Sequence, residues 1–142
     1  MDVPHIKAKL DMKDLIGRPY KAGGRGPADY DCWGLCMMIA QKIGGSLPDL
    51  EVPQENDLRA ELVSRQRASS FKRLDNPAGG CLVLFRIIDD AGAVKWHVGT
   101  VLPDSRNFIH TTEKMGVNIS ALERQPWKLF VEGFYIYQPL TP

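Results

Sequence analysis

The sequence is poor in the residue types from which many catalytic and metal sites are built. It has three cysteines and three histidines among 142 residues. An odd cysteine count without a framework spacing argues against structural disulfides and favours reduced thiols. Charge is equally balanced, because 18 Lys and Arg residues oppose 17 Asp and Glu residues for a net charge of +1. This balance gives no reason to expect nucleic acid or an acidic membrane surface as a partner.

Long apolar runs are also missing. No stretch reaches the roughly 20 apolar residues that a membrane-spanning helix needs, so we expect no membrane partner. The N-terminus, Met1-Asp2-Val3-Pro4-His5, has no basic region followed by an apolar core, which predicts cytoplasmic synthesis without a signal peptide. The chain contains no internal repeat, low-complexity segment or linker, and its length suits one core. We therefore predict a single domain over residues 1–142.

The order of apolar patterns predicts helices first and strands later. Residues 33–43 are rich in apolar side chains and predict a buried helix that Gly44-Gly45 ends. A short helix over residues 11–16 and an amphipathic helix over residues 55–67 are also predicted. Antiparallel strands are predicted from residue 81 onwards, over residues 81–88, 94–102, 107–112, 115–119 and 130–137. This order is typical of an α+β domain.

The stretch Tyr30-Asp31-Cys32-Trp33-Gly34-Leu35 places a cysteine where a polar turn meets the predicted helix. Asp31 suits the N-cap position, because its carboxylate can accept a hydrogen bond from an amide of the first turn. Cys32 then lies in that turn, where the positive end of the helix dipole favours the nucleophilic thiolate. The alternative is a buried structural cysteine, an interpretation that suits Cys36, one turn later, better than Cys32.

A cysteine nucleophile needs a base, and the base needs an orienting partner. His97 lies within one predicted strand and His110 ends the next, so both imidazoles can lie side by side on one face. Packed polar side chains are the alternative for both histidines. A zinc site of Cys32, Cys36 and the two histidines is a further alternative, but structural zinc prefers short ligand pairs. We expect no metal and no organic cofactor.

Five segments resemble the NlpC/P60 family of cysteine peptidases in their order and spacing. They are Gly17-Arg18-Pro19-Tyr20, Tyr30-Asp31-Cys32-Trp33-Gly34-Leu35, Gly80-Cys81-Leu82-Val83-Leu84-Phe85, His97-Val98-Gly99 and Phe108-Ile109-His110. The resemblance implies a papain-like fold with Cys32 as nucleophile, His97 as base and His110 as the orienting residue.

Three further residues complete the predicted site. Tyr20 matches a tyrosine thought to assist the oxyanion site, although packing in the core would explain it equally well. Asp31 is a capping and motif residue, and Gly34 is expected to let the histidine strand approach the helix closely. A tolerated defect in the helix is the alternative for Gly34. Cys81 stands where the family commonly has an acidic residue, and we predict that it is a buried strand residue.

The function implied by the resemblance is hydrolysis of peptidoglycan stem peptides, typically between γ-D-glutamate and a diamino acid. Trp33, the loop over residues 22–27 and Glu132-Gly133-Phe134-Tyr135 resemble the branch found in tail-assembly proteins of bacteriophages and prophages. That branch implies bacterial cytoplasmic synthesis, incorporation into a virion tail, and tail proteins as partners. We predict that they dock on Trp127 and residues 130–137, away from the Cys32 cleft.

Three alternatives to this function remain. One is a structural tail-tip protein with a vestigial site. Another is an amidase or acyltransferase on the same fold, since a fold does not fix a reaction. The third is a cytoplasmic enzyme that acts on recycled wall peptides.

Overall fold

The structure is a computed structural model that describes residues 11–50 and 71–138. Its helices are α1 (Cys32–Lys42) and the short α2 (Trp127–Phe130). Its strands are β1 (Phe71–Leu74), β2 (Leu82–Ile88), β3 (Val94–Val101), β4 (Asn107–Thr112), β5 (Gly116–Ala121) and β6 (Val131–Tyr137). The helix predicted over residues 55–67 lies outside the described residues, as does His5.

The six strands form one antiparallel sheet in the order β1-β6-β2-β3-β4-β5. Strands β2 to β5 are neighbours both in sequence and in the sheet, whereas β6 crosses back to lie between β1 and β2. A helix packed on an antiparallel sheet is the α+β architecture that the sequence predicted.

Helix α1 lies on one face of the sheet, across β3 and β4. Trp33 and Cys36 pack with residues of β2, β3 and β6, while Leu35 and Ile39 pack with residues of β4 and β5. The opposite face of the sheet carries a second apolar layer, which includes Cys81 and residues of α2. Cys36 and Cys81 are both buried, as predicted.

The end of α1 follows the prediction closely. Gly44 has a φ of +85° and donates a hydrogen bond from its amide to the Gln41 carbonyl at 3.1 Å. The Gly45 amide donates to the Ala40 carbonyl at 2.9 Å. This pair of bonds is the Schellman motif, in which a residue with positive φ satisfies the last carbonyls of a helix.

The helix predicted over residues 11–16 is wrong, because this segment forms a turn. The amides of Leu15 and Ile16 both donate to the Met12 carbonyl, and no regular helical series follows. So few residues cannot offset the cost of helix nucleation. Gly17 then leaves the turn with a φ of +86°, and its amide donates to the Val117 carbonyl of β5.

Gly34 permits a close approach, but not the one predicted. A Cβ at this position would run into the carbonyl oxygen of Gly24, which lies in the loop before α1 and not in the histidine strand. The same Gly24 oxygen accepts a hydrogen bond from the Asp31 amide at 3.1 Å. The missing side chain therefore lets the glycine loop fold back over the first turn of α1.

We expect Gly34→Ala to lower the free energy of unfolding by roughly 1–3 kcal/mol, the range for adding an atom group to a well-packed site. The added Cβ would have to displace the Gly24 backbone. Gly45→Ala is the matched control, because its Cβ would meet the Ala40 carbonyl oxygen at an ordinary 3.7 Å. Urea denaturation of both variants measures the effect, and equal losses would contradict the steric explanation.

Candidate active site

The N-terminus of α1 is held by the carboxylate of Asp31. Asp31 is the N-cap, and its Oδ1 accepts a hydrogen bond from the Gly34 amide at 2.6 Å. Arg25 donates to the same oxygen at 2.7 Å and to the Gly24 carbonyl at 3.0 Å. Cys32 follows as the first residue of the helix, with 5% of its surface exposed. The predicted placement of a cysteine at the positive end of a helix is therefore observed.

Tyr20 lies on a segment that runs beside the residues just before Cys32. It forms a parallel β-bridge with Tyr30, two residues ahead of the cysteine. The Tyr30 amide donates to the Pro19 carbonyl at 3.2 Å, and the Lys21 amide donates to the Tyr30 carbonyl at 3.1 Å. These bonds fix the backbone of Tyr20 next to the start of α1, and its side chain is half-buried.

The two histidines face each other where strands β3 and β4 separate. These strands pair only at Thr100 with Ile109 and at Val101 with Phe108. His97 and His110 lie beyond this short ladder, and the side chains make the link instead. His97 Nε2 and His110 Nδ1 are 2.8 Å apart, within hydrogen-bond distance. The sequence prediction that neighbouring strands bring both imidazoles together is confirmed.

Gly99 provides the space for this pair of rings. A Cβ at Gly99 would lie 2.9 Å from Phe108 Cδ2 and 3.3 Å from His110 Cβ. Both distances are shorter than a relaxed carbon–carbon contact. Gly99 therefore lets β4 lie close to β3, which is a different approach from the one between helix and histidine strand that we expected from Gly34.

Two polar residues of β5 extend the histidine pair, and sequence analysis missed both. His110 Nε2 lies 3.0 Å from Ser120 Oγ, and the Ser120 hydroxyl donates to Asn118 Oδ1 at 3.4 Å. The Asn118 side-chain nitrogen donates to the Gly116 carbonyl at 2.8 Å. Asn118 and Ser120 are two residues apart on a strand and therefore share a face, which was the available signal.

Trp127 covers the other side of the histidine pair. Its ring centroid lies 5.7 Å from that of His97 and 4.8 Å from that of His110. Phe85 and Phe108 contact the same indole at 5.2 Å and 5.6 Å. Trp127 therefore packs against both histidines. That it belongs to a docking surface for tail proteins stays a prediction.

The strand after Trp127 does not present a broad apolar surface. β6 is an interior strand, so Tyr135 packs on the α1 side of the sheet while Phe134 packs on the other. The large apolar side chain exposed in this region is Leu129, at 69%. The sequence of an aromatic-rich last strand is compatible with an edge strand. It does not reveal that β6 returns to an interior position between β1 and β2.

The NlpC/P60 family profile matches residues 17–134, a range that contains α1 and both histidine strands. The chain belongs to the NlpC/P60 family. No curated protein sequence matches the chain.

Solved structures support the same fold. A Staphylococcus aureus NLP/P60-family protein described as similar to a lipoprotein is 24% identical, with a TM-score of 0.62 over 95% of this chain. NlpC1 from Trichomonas vaginalis is 20% identical, with a TM-score of 0.60 over 87% of this chain. The NlpC/p60 domain of the peptidoglycan hydrolase SagA is 19% identical, with a TM-score of 0.54.

These relatives differ in how much of their length this chain spans. The match covers 42% of the Staphylococcus aureus chain and 40% of NlpC1, but 89% of the SagA domain chain. At these identities the likeness establishes a common papain-like NlpC/P60 fold.

Both histidines of this NlpC/P60 domain are deeply buried. Burial lowers the pKa of His97 to about 3, and the neighbouring His110 lowers it in the same direction. Burial likewise lowers the pKa of His110 to about 4, while the neighbouring Asn118 side chain acts in the opposite direction. At neutral pH both rings are therefore uncharged.

The other two thiols are poor nucleophiles. Burial raises the pKa of Cys36 to about 12 and the pKa of Cys81 to about 11. Both remain protonated at neutral pH, and the thiolate is the reactive form. Cys32 packs with Val98, the residue after His97, on the α1 side of the sheet. Phe85 and Trp127, whose rings contact His97, belong to the apolar layer of the opposite face.

The described ranges 11–50 and 71–138 contain neither a candidate metal site nor a helix that could span a membrane. Within them, no group of three or more His, Cys, Asp or Glu side chains is arranged to hold a metal ion. Neither helix in these ranges has the length and apolar character needed to cross a membrane.

We predict that Cys32 is alkylated ahead of Cys36 and Cys81. The folded protein is treated with limiting iodoacetamide near neutral pH, and the adducts are mapped by peptide mass spectrometry. The raised pKa values of the two buried thiols leave Cys32, at the helix N-terminus, as the favoured target. Cys32→Ala is the control and should lose the fast adduct. Earlier modification of either other cysteine would contradict the prediction.

We also predict that the domain loses stability as the pH falls below about 6.5. Both folded-state pKa values lie below the ordinary value of 6.5, so the unfolded chain binds more protons in this range. Each histidine can contribute a slope of about 1.4 kcal/mol per pH unit. Urea denaturation at several pH values measures the slope. His110→Gln should flatten it, and an unchanged slope in that variant would contradict the assignment.

Proposed function

We propose that this protein is a cysteine peptidase that hydrolyses the peptide stem of peptidoglycan, at the bond between γ-D-glutamate and a diamino acid. The observation that carries the proposal is the bond of 2.8 Å between His97 Nε2 and His110 Nδ1. It orients a neutral imidazole in the domain whose main helix begins at Cys32. The substrate class is supported by family membership and by the fold shared with the SagA peptidoglycan hydrolase domain.

The first half of the proposed reaction forms a thioester. His97 accepts the Cys32 proton at Nδ1, since its Nε2 is occupied by His110. The thiolate attacks the carbonyl carbon of the scissile amide, and the amide of Cys32 and the Tyr20 hydroxyl donate hydrogen bonds to the developing oxyanion. The protonated His97 then gives its proton to the leaving amine, and the carbon–nitrogen bond breaks.

The second half releases the acid product. Water loses a proton to His97 and attacks the thioester, and the carbon–sulfur bond breaks as the Cys32 thiol is regenerated. His110 keeps the imidazole in one orientation through both proton transfers. Trp127 shields the pair from bulk water, which strengthens the hydrogen bond between the two rings.

Digestion of purified peptidoglycan tests this function. We expect the wild-type protein to release stem-peptide fragments, identified by mass spectrometry, and the folded Cys32→Ala variant to release none. His97→Asn should reduce the rate by roughly 10²–10⁴-fold, since the base is lost. His110→Gln should reduce it less, because a water molecule or another polar group can still hold the imidazole.

Other outcomes of the same digestion separate the alternatives. A greater loss at His110 than at His97 would reverse the roles that we assign. Transfer of an acyl group to an added amine without hydrolysis would indicate an acyltransferase, and hydrolysis of an amide bond outside the stem peptide would indicate an amidase. No product from folded wild-type protein would favour a vestigial site.

We further propose that the protein acts as a component of a phage or prophage tail, with other tail proteins as partners. The support is the Asp31-Cys32-Trp33-Gly34-Leu35 motif and the Gly133-Phe134-Tyr135 segment. Trp33 is 1% exposed, and its indole nitrogen donates to the Pro48 carbonyl at 3.0 Å. Detection in intact virions by mass spectrometry tests the location, and a protein confined to the host cytosol that cleaves free stem peptides would contradict it.

A further inference from the structure

The hydrogen bonds around His110 can run in two directions, and only one leaves His97 able to act as a base. A neutral imidazole has one N–H donor and one acceptor nitrogen. If His97 Nε2 donates to His110 Nδ1, then His97 Nδ1 carries a lone pair. If His110 Nδ1 donates to His97 Nε2, then the proton of His97 sits on Nδ1 and the base is blocked. The distance of 2.8 Å fits either direction, so the choice depends on the far side of His110.

The direction is fixed at Asn118. The nitrogen of a carboxamide can only donate and its oxygen can only accept. Because Asn118 Nδ2 donates to the Gly116 carbonyl at 2.8 Å, the Asn118 oxygen is turned towards Ser120. Ser120 Oγ lies 3.4 Å from that oxygen and must supply the proton of this bond.

Each following bond is then determined in turn. A hydroxyl has one proton, and when Ser120 directs it towards Asn118, Ser120 Oγ accepts at its contact of 3.0 Å with His110 Nε2. His110 therefore carries its proton on Nε2 and accepts at Nδ1. His97 must donate from Nε2, which leaves the lone pair of His97 on Nδ1.

We propose that Asn118 and Ser120 are positioning residues that set the tautomer of His110 and, through it, hold His97 with an unprotonated Nδ1. The proposal rests on the proposed function, because it assigns His97 as the base. Asn118 lies directly opposite His110 in the β4–β5 register. His97 and His110 are 6% and 1% exposed, so water has little access to the rings as an alternative partner.

Nitrogen-15 NMR of the histidine rings tests the proposal without an activity assay. Two-bond proton–nitrogen spectra distinguish the Nδ1–H and Nε2–H tautomers, and His97→Gln and His110→Gln assign the signals. At neutral pH the wild-type protein should show Nε2–H on both rings. A predominant Nδ1–H form of either ring would overturn the proposal.

Asn118→Leu removes the acceptor that takes the Ser120 proton, and Asn118→Asp keeps an oxygen acceptor as the matched control. The Leu variant frees Ser120 to donate to His110 Nε2, so the Nδ1–H form of His97 should appear. We expect kcat to fall roughly 3- to 10-fold with KM little changed, the scale of one net hydrogen bond. The Asp variant should retain the Nε2–H signals, and identical spectra for both variants would overturn the proposal.

The double variant Asn118→Leu/Ser120→Ala separates positioning from a general loss of packing. In Asn118→Leu the Ser120 hydroxyl is free to donate to His110 Nε2, and Ser120→Ala removes that donor. The double variant should therefore show more of the Nε2–H form of His97 than Asn118→Leu alone. Additive damage would overturn the proposal. The wild-type protein could show the predicted tautomers and yet fail to cleave peptidoglycan. That result would support the positioning role of Asn118 and Ser120 and reject the proposed function.

Discussion

The carboxylate of Asp31 is the contact on which the Cys32 end of the candidate site depends. One oxygen accepts from the Gly34 amide and pairs with Arg25. Arg25 also reaches the Leu50 carbonyl at 3.2 Å, so the loop before α1, the helix start and the segment after the helix are joined at one ionic group. The position of Cys32 is therefore set by contacts on three chain segments and not by the helix alone, and the glycine loop must follow its observed path for the helix to begin there.

The histidine end depends on a defect in the sheet. A continuous β3–β4 ladder would pair the backbones along the whole length of both strands, but pairing is confined to two positions. Beyond them the strands are linked by the bond between His97 and His110. Gly99 makes this exchange possible, because any larger residue would collide with Phe108 and His110. The ladders on either side, β2–β3 and β4–β5, remain paired, and the His97 and His110 side chains form a hydrogen bond across the gap between β3 and β4.

Local features of the site could be predicted from the sequence, and long-range ones could not. The helix start follows from the chemistry of Asp31, and the histidine pairing follows from two short strands and a turn. The partner of Gly34 was not predictable, because it depends on where the glycine loop folds back. The packing of Trp127 on the histidines was not predictable for the same reason. The sequence around a tryptophan between a turn and a strand is the same whether the indole faces solvent or another ring. Ser120 required the β4–β5 register.

The apolar wall around the histidines brings both a cost and an advantage. Burial beside Phe85 and Trp127 keeps His97 neutral in the folded protein. The cost is a lower free energy of unfolding at acidic pH, because the solvated imidazole of the unfolded chain can bind a proton there. The same dry surroundings strengthen each hydrogen bond and make an unpaired ring nitrogen expensive. A buried imidazole therefore needs an acceptor beside its N–H and a donor beside its unprotonated nitrogen. This requirement explains why the polar chain continues past His110 to Ser120 and a carboxamide, and does not stop at the second histidine.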